Sequence, residues 1–366
     1  MKKKLFLLLS SVILLLATPL AGVILEGDSV ISFLKLPPRT TPVNHEGFSI
    51  LVFVLIAAFV IAILLPFATR ISRSQKDYQS KNRVLNKFPA WGWIGIVLLI
   101  AGWIFAWSRF PWFEKFQLFT FTPLWLAYVI IINALTYMRA GKSLITHSPG
   151  YLILLFLFSA VFWWYFEYLN QFVNNWYYTD LGPLSDLGYF LYATLPFSTV
   201  LPAVISTWLL LRTFPRLSLG LNHFVKIRIV STKTFWWVIL LVNVSGLGLA
   251  YLWPNYLFPL IWIAPMLIIA SVISIAGKKT IFHSIEKGDW RDIFLLAMAA
   301  IICGFFWEMW NYYSYAKWEY SIPFVHRYLI FEMPVLGYLG YLPFGILCGL
   351  IGMKINHITK TDLNYS

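Results

Sequence analysis

The chain has 366 residues, of which 60% are apolar, 19% aromatic and only 12% charged, with a formal net charge of +13 at pH 7. A soluble globular domain carries about 25% charged residues, so this composition, with a mean hydropathy of +0.73, excludes one and indicates a polytopic membrane protein. The positive excess does not signify nucleic acid, because the basic residues sit in short loops on alternate sides of apolar runs, as the positive-inside rule requires.

In chain order, "MKKKLFLLLSSVILLLATPLAG" comes first, a basic start followed by an apolar run. Cleavage after Ala21 or Ala17 would leave Pro19 or Leu15 where a signal peptidase wants a small residue. The segment therefore reads as an uncleaved anchor with its N-terminus inside, and Leu25 to Ser49 follows outside. Further apolar runs long enough to span cover 48–69, 90–108, 119–138, 151–170, 188–211, 234–253, 257–276, 292–311 and 329–352.

With that orientation only Lys35, Arg39, Arg109, Lys115, Lys317 and Arg327 of the 28 basic residues fall outside. Many of the others lie in "RISRSQKDYQSKNR" and "RTFPRLSLGLNHFVKIR", and the carboxylates show the reverse bias. The expectation is a multi-pass protein of the cell (inner) membrane with both termini cytoplasmic, residues 355–366 forming a tail.

"GKSLITHS" (141–148) returns as "GKKTIFHS" (277–284), 136 residues later. At the same offset Pro123-Leu124 matches Pro259-Leu260. Trp93, Gly102 and Ala106 match Trp237, Gly246 and Ala250, and Glu167 and Asn170 match Glu308 and Asn311. Trp176 and Tyr178 then answer Trp318 and Tyr320. The expected fold is an all-α polytopic transmembrane bundle of about ten spans. Two parallel four-helix repeats, 89–213 and 234–354, are related by a pseudo-twofold axis along the membrane normal, and residues 1–88 supply two N-terminal spans.

In the repeated octet, Gly141 and Gly277 read as caps that end a helix, and Lys142 and Lys278 as headgroup anchors. His147 and His283 form an inner-loop pair, either proton-relay residues or loop and cap holders. The stronger functional signal is ExxN. Glu and Asn three apart share one helix face, and a carboxylate within a transmembrane segment is a functional-site candidate.

Glu167 and Glu308 are accordingly catalytic candidates, able to act as general acid or proton carrier. Asn170, Asn311, Trp176, Trp318, Tyr178 and Tyr320 are substrate-binding candidates. The four ExxN residues are expected to face one another across the axis. A third acid, Glu332, stands in "FEMPVLGYLGYLPFG", where Pro334, Gly337, Gly340 and Pro343 interrupt the last span. Lys317, His326 and Arg327 place positive charge near it, enough to pair with carboxylates or an anionic headgroup.

Cys303 and Cys348 read as buried fillers, and no Cys/His cluster suggests a metal. The sequence contains no dinucleotide fold, P-loop, HExxH, DxxxD or nucleophile elbow, so it implies no cofactor. "FEYLNQFVNNWYY" followed by "FSTVLPAV" resembles a pattern in uncharacterised bacterial membrane proteins. The order ExxN, WxY, Pro-started span is also loosely similar to integral-membrane lycopene cyclases, a resemblance that would imply acid catalysis on carotenoid ends. Their proline precedes paired glutamates, whereas "FST" follows Pro196 and "VLG" follows Pro334 here.

Three readings follow. The first is a membrane-embedded enzyme acting on a lipid or isoprenoid in the outer half of the bilayer, the second a transporter or channel for a small solute or lipid, and the third a non-catalytic scaffold. Expected partners are membrane lipids and a hydrophobic or small-molecule ligand; the sequence fixes no oligomeric state.

Overall fold

In lipid every backbone N–H and C=O must find a partner inside the protein, which leaves the apolar runs of this chain little choice but helix. The computed structural model describes residues 2–76, 78–79 and 84–364. The helices are α1 Lys2–Ala17, α2 Leu20–Glu26, α3 Ile50–Gln75, α4 Ala90–Trp107, α5 Phe121–Ala140, α6 Pro149–Asn170, α7 Asp186–Phe197, α8 Val200–Arg212, α9 Lys233–Leu249, α10 Leu260–Ile275, α11 Arg291–Tyr312 and α12 Tyr341–Thr359. Two short antiparallel pairs accompany them: β1 Trp176–Thr179 with β2 Lys317–Tyr320, and β3 Leu329–Ile330 with β4 Met333–Pro334.

Eight helical stretches of 18 or more residues are long and apolar enough to cross a membrane among the described residues. The chain is an all-α integral membrane protein. The expected spans 234–253 and 257–276 are shorter helices, of 17 and 16 residues, because Pro254 and Pro259 break the chain between them. The last span also starts later than expected, at Tyr341 and not near 329. Residues 329–334 form a small hairpin, and Gly337–Gly340 is a single 3-10 turn.

Local chemistry sets the ends. Ser49 and Thr232 accept the backbone N–H groups of Val52 and Phe235 at their helix starts. Gly141 and Gly277 take φ of 71° and 76°, the left-handed conformation that stops α5 and α10. Between α7 and α8 the helix breaks at Ser198–Thr199, where Pro202 removes a backbone donor. The Ser159 hydroxyl of α6 bridges that break, donating to the Phe197 carbonyl at 2.6 Å and accepting from the Leu201 N–H at 3.0 Å.

Packing runs in matching pairs. Helix α4 lies on α5 as α9 lies on α10. Gly102 faces Leu124 and Gly246 faces Leu260, while Ala106 and Ala250 are both buried. Helix α8 crosses onto α11, α12 touches α6, and α8 meets α12. Phe344 fills the centre, with Phe162, Trp163, Phe166, Trp262 and Trp307 rings around it.

Helix α3 stands apart. None of its residues is buried. It is fastened at its ends, by Phe53 on Tyr328 and by Phe67 against Phe224, Trp290 and Phe294. Arg70 adds hydrogen bonds to the carbonyls of Gly220 and His223.

The α11–α12 contact is close, since a methyl group at Gly345 would collide with the Leu296 carbonyl and with Ala300. We expect Gly345→Ala to cost about 1–3 kcal/mol through overpacking, read as a lower unfolding temperature in detergent, with Gly47→Ala, where nothing lies near, as the unaffected control.

Candidate functional site

Two buried carboxylates organise the end of the bundle that carries the strands. Glu167 is 2% exposed and Glu308 is fully buried. A carboxylate without donors in such surroundings costs several kcal/mol (order of magnitude, about 2–7 for a neutral polar group and more for a charge), and the chain supplies donors from aromatic residues. Glu167 Oε1 accepts from Trp163 Nε1 at 3.0 Å, Trp176 Nε1 at 3.1 Å and Tyr178 Oη at 2.6 Å. Glu308 Oε1 accepts from Tyr320 and Tyr341 Oη, each at 2.7 Å, and Trp318 Nε1 donates to Tyr320 Oη at 2.8 Å.

The asparagines explain the spacing of the motif. Asn170 Nδ2 donates to the Trp176 carbonyl at 2.7 Å and its Oδ1 accepts from Asn175 N at 2.8 Å. Asn311 binds the Trp318 carbonyl and N–H, at 2.7 and 2.9 Å. Each Asn thus pins the start of the strand that follows its helix. Residues two apart on a strand share a face, so the pinned Trp carries Tyr178 or Tyr320 back onto the Glu one turn above the Asn. The strands then pair with Trp176 opposite Tyr320, Tyr177 opposite Glu319 and Tyr178 opposite Trp318.

One donor slot is filled differently in the two halves. Four residues before Glu167 stands Trp163, whose indole supplies a bond; four before Glu308 stands Gly304. A side chain there would collide with the Tyr341 ring. The missing Cβ lets Tyr341 reach over from α12 and donate in the place that Trp163 takes in the first half. Tyr341 was missed in the sequence, although "LPF" at 195–197 and at 342–344 would have set it against Thr194.

Beside these hubs lies a cavity of about 540 Å³, within the roughly 300–1,000 Å³ typical of ligand pockets. Trp163, Trp176, Tyr178, Trp318, Tyr320 and Tyr341 are in its wall, whereas Glu167 and Glu308 sit one layer behind. Its floor and sides are apolar, from α7, α10 and α12. The remaining side is the stripe Ile56, Phe59, Val60 and Ile63 of α3, a spacing that marks one helix face. That stripe was not identified from sequence, because it looks like any other membrane-facing run.

The other expected residues divide by place. Lys317 lines the cavity, with Nζ 2.6 Å from Glu332 and 3.3 Å from Glu319. Those two carboxylates hold its ammonium above the ordinary lysine pKa against the opposing effect of burial. Glu332 occupies the turn of the β3–β4 hairpin, so its partner is Lys317 and not a broken helix. Arg327 lies against the mutually contacting rings of Phe48 and Tyr328, at 5.1 and 5.4 Å.

Among the described residues the ExxN side chains of 89–213 and those of 234–354 share no hydrogen bond, and Asn170 Nδ2 also reaches Thr40 Oγ1 of the N-terminal segment at 3.4 Å. His147 and His283 lie at the opposite end: His147 Nδ1 is 2.8 Å from Thr146 Oγ1, and His283 Nδ1 accepts the Thr280 N–H at 3.1 Å in a capping box. Among the described residues no cluster of three His, Cys, Asp or Glu could hold a metal.

No protein-family model matches the chain, and no curated protein or solved structure matches it. The site stands on its geometry.

Two outcomes are expected. Asn170→Ala and Asn311→Ala each strand buried backbone groups worth about 1–3 kcal/mol, so amide exchange should accelerate across β1 and β2 in either variant while the helix cores stay protected. Burial pushes the His283 imidazole below its ordinary pKa. A depressed folded value means the neutral ring stabilises fully above the unfolded pKa, and that contribution is lost as pH falls through the folded one. Lowering pH from roughly 8 to 5 should therefore lower the unfolding temperature of the wild type more than that of His283→Gln.

Proposed function

We propose that the protein binds a lipid or isoprenoid chain in the strand-end cavity, which lies in the outer half of the bilayer. The observation that carries this reading is the α3 stripe. Ile56, Phe59, Val60 and Ile63 face the cavity, yet none of the residues of this helix is buried. An apolar chain lying between α3 and the bundle gives that face a partner, and the aromatic wall gives it a shaped surface. Access is sideways, from the membrane. The buried charged residues among those described are Glu167 and Glu308 alone, so no ladder of acids crosses the bundle, which favours a ligand pocket over a conducting path.

A second reading, acid–base chemistry on the bound chain, is favoured by the relay geometry at Glu308. Tyr320 and Tyr341 present phenols to the cavity while bonded to the carboxylate behind them. A proton can pass between Glu308 and a ligand through either hydroxyl. The matched packing and the strand register support a further part of the proposal, that 89–213 and 234–354 are duplicated units and the two hubs their equivalent centres.

A photo-crosslinking residue placed at Phe59 tests the pocket against the same residue at Ile61, which is 61% exposed and lies on the opposite face of the helix. Position 59 should capture one or a few selected species from native membranes, and position 61 the bulk lipid. Identical, unselective captures at both would refute chain binding. For the second reading, Tyr341→Phe with Tyr320→Phe should abolish turnover of the captured species while leaving its capture at position 59 intact.

A further inference from the structure

Lys317 is the one charged residue in the described cavity lining, and the basic groups at this end of the bundle are not equally committed. Lys317 is neutralised by Glu332 and Glu319. Arg39 pairs with Asp186 at 3.2 Å. Arg109 spends its guanidinium on the carbonyls of Ala106, Ser108 and Tyr313. Arg327 differs: among the described residues its guanidinium has neither a carboxylate nor a hydrogen-bond acceptor. It is exposed, but it is not loose, because it rests against the adjoining Phe48 and Tyr328 rings.

Its position is specific. Val325, two residues earlier, lines the cavity. Phe48 directly precedes the α3 N-cap, and Tyr328 packs on Phe53 in the first turn of α3. Ser49 N donates to the Phe324 carbonyl at 2.9 Å, and Phe324 N to that of Glu46 at 3.1 Å, so the loop bearing Arg327 is stitched to the top of α3. The free guanidinium therefore stands where the loop from the cavity-lining Val325 meets the top of α3, the helix whose stripe walls the cavity. A planar fork of donors suits an oxyanion, often bidentately, and this end of a span lies at headgroup depth.

We infer that the ligand is a lipid with an anionic headgroup: its chain descends between α3 and the bundle, and its headgroup oxyanion rests on Arg327. This rests on the chain-binding reading and adds the chemical class of the headgroup. The ligand need not be extracted from the membrane. It moves sideways under α3 with its headgroup remaining in the interfacial layer.

The test uses the full chain in nanodiscs with the photo-crosslinker at Phe59. Each disc contains one of two probes with identical chains, a phosphatidic acid or the corresponding diacylglycerol. The wild type should capture the phosphatidic acid roughly tenfold better, the size of one charge-assisted contact. Arg327→Gln should remove that preference, and Arg327→Lys should retain part of it. Arg109→Gln, at the same end of the bundle, should leave it unchanged.

Equal capture of the two probes, or a preference that survives Arg327→Gln, overturns the headgroup inference while leaving chain binding in place. Inorganic phosphate that abolishes the preference at matched ionic strength identifies a soluble-anion site and overturns the assignment to lipid. Unselective capture at position 59 with either probe overturns chain binding itself.

Discussion

A carboxylate inside a membrane-spanning helix has to be met by donors that belong to the protein, and much of the strand-end architecture follows from meeting two of them. Glu167 and Glu308 recruit indole and phenol groups, which are apolar over most of their surface and polar at one atom. Such residues can satisfy the acid on one side and present a greasy face on the other. The same donors that make burial tolerable thus build the cavity wall. Among the described residues no arginine or lysine bonds either acid, so the donors of both hubs are indoles and phenols.

Transmembrane character and the ExxN…WxY linkage were legible because each leaves a local mark, whereas two of the ten expected spans are helices of only 17 and 16 residues. Apolar runs reveal helices, and Glu and Asn three apart share a face whatever surrounds them. The start of the last span was not legible. Pro334, Gly337 and Gly340 looked like interruptions within a helix, whereas they belong to a hairpin and a turn ahead of it. The partners of the acids were half legible: Tyr178 and Tyr320 lie close in sequence, but Tyr341 arrives from another helix. Its arrival depends on an absent side chain, Gly304, which a pattern of chemical groups does not display.

The role of α3 was hidden for a different reason. A helix with bilayer on one side and an apolar cavity on the other shows no polar face. Sequence separates apolar from polar surroundings; it does not separate bilayer from a pocket that resembles bilayer. The N-terminal segment was equally silent, though Arg39, Thr40 and His45 tie it to Leu184, Trp176 and Asn255 across the strand face.

The β1–β2 pairing has a mechanical consequence. Its backbone hydrogen bonds act as a crossbar between the two sets of helices, and Asn170 and Asn311 bolt each end of the bar to its own helix. Levering the sets apart at this face would break the bar's hydrogen bonds. Movement that leaves the crossbar whole has to come from a part outside it, and the loosely held single helix α3 is such a part.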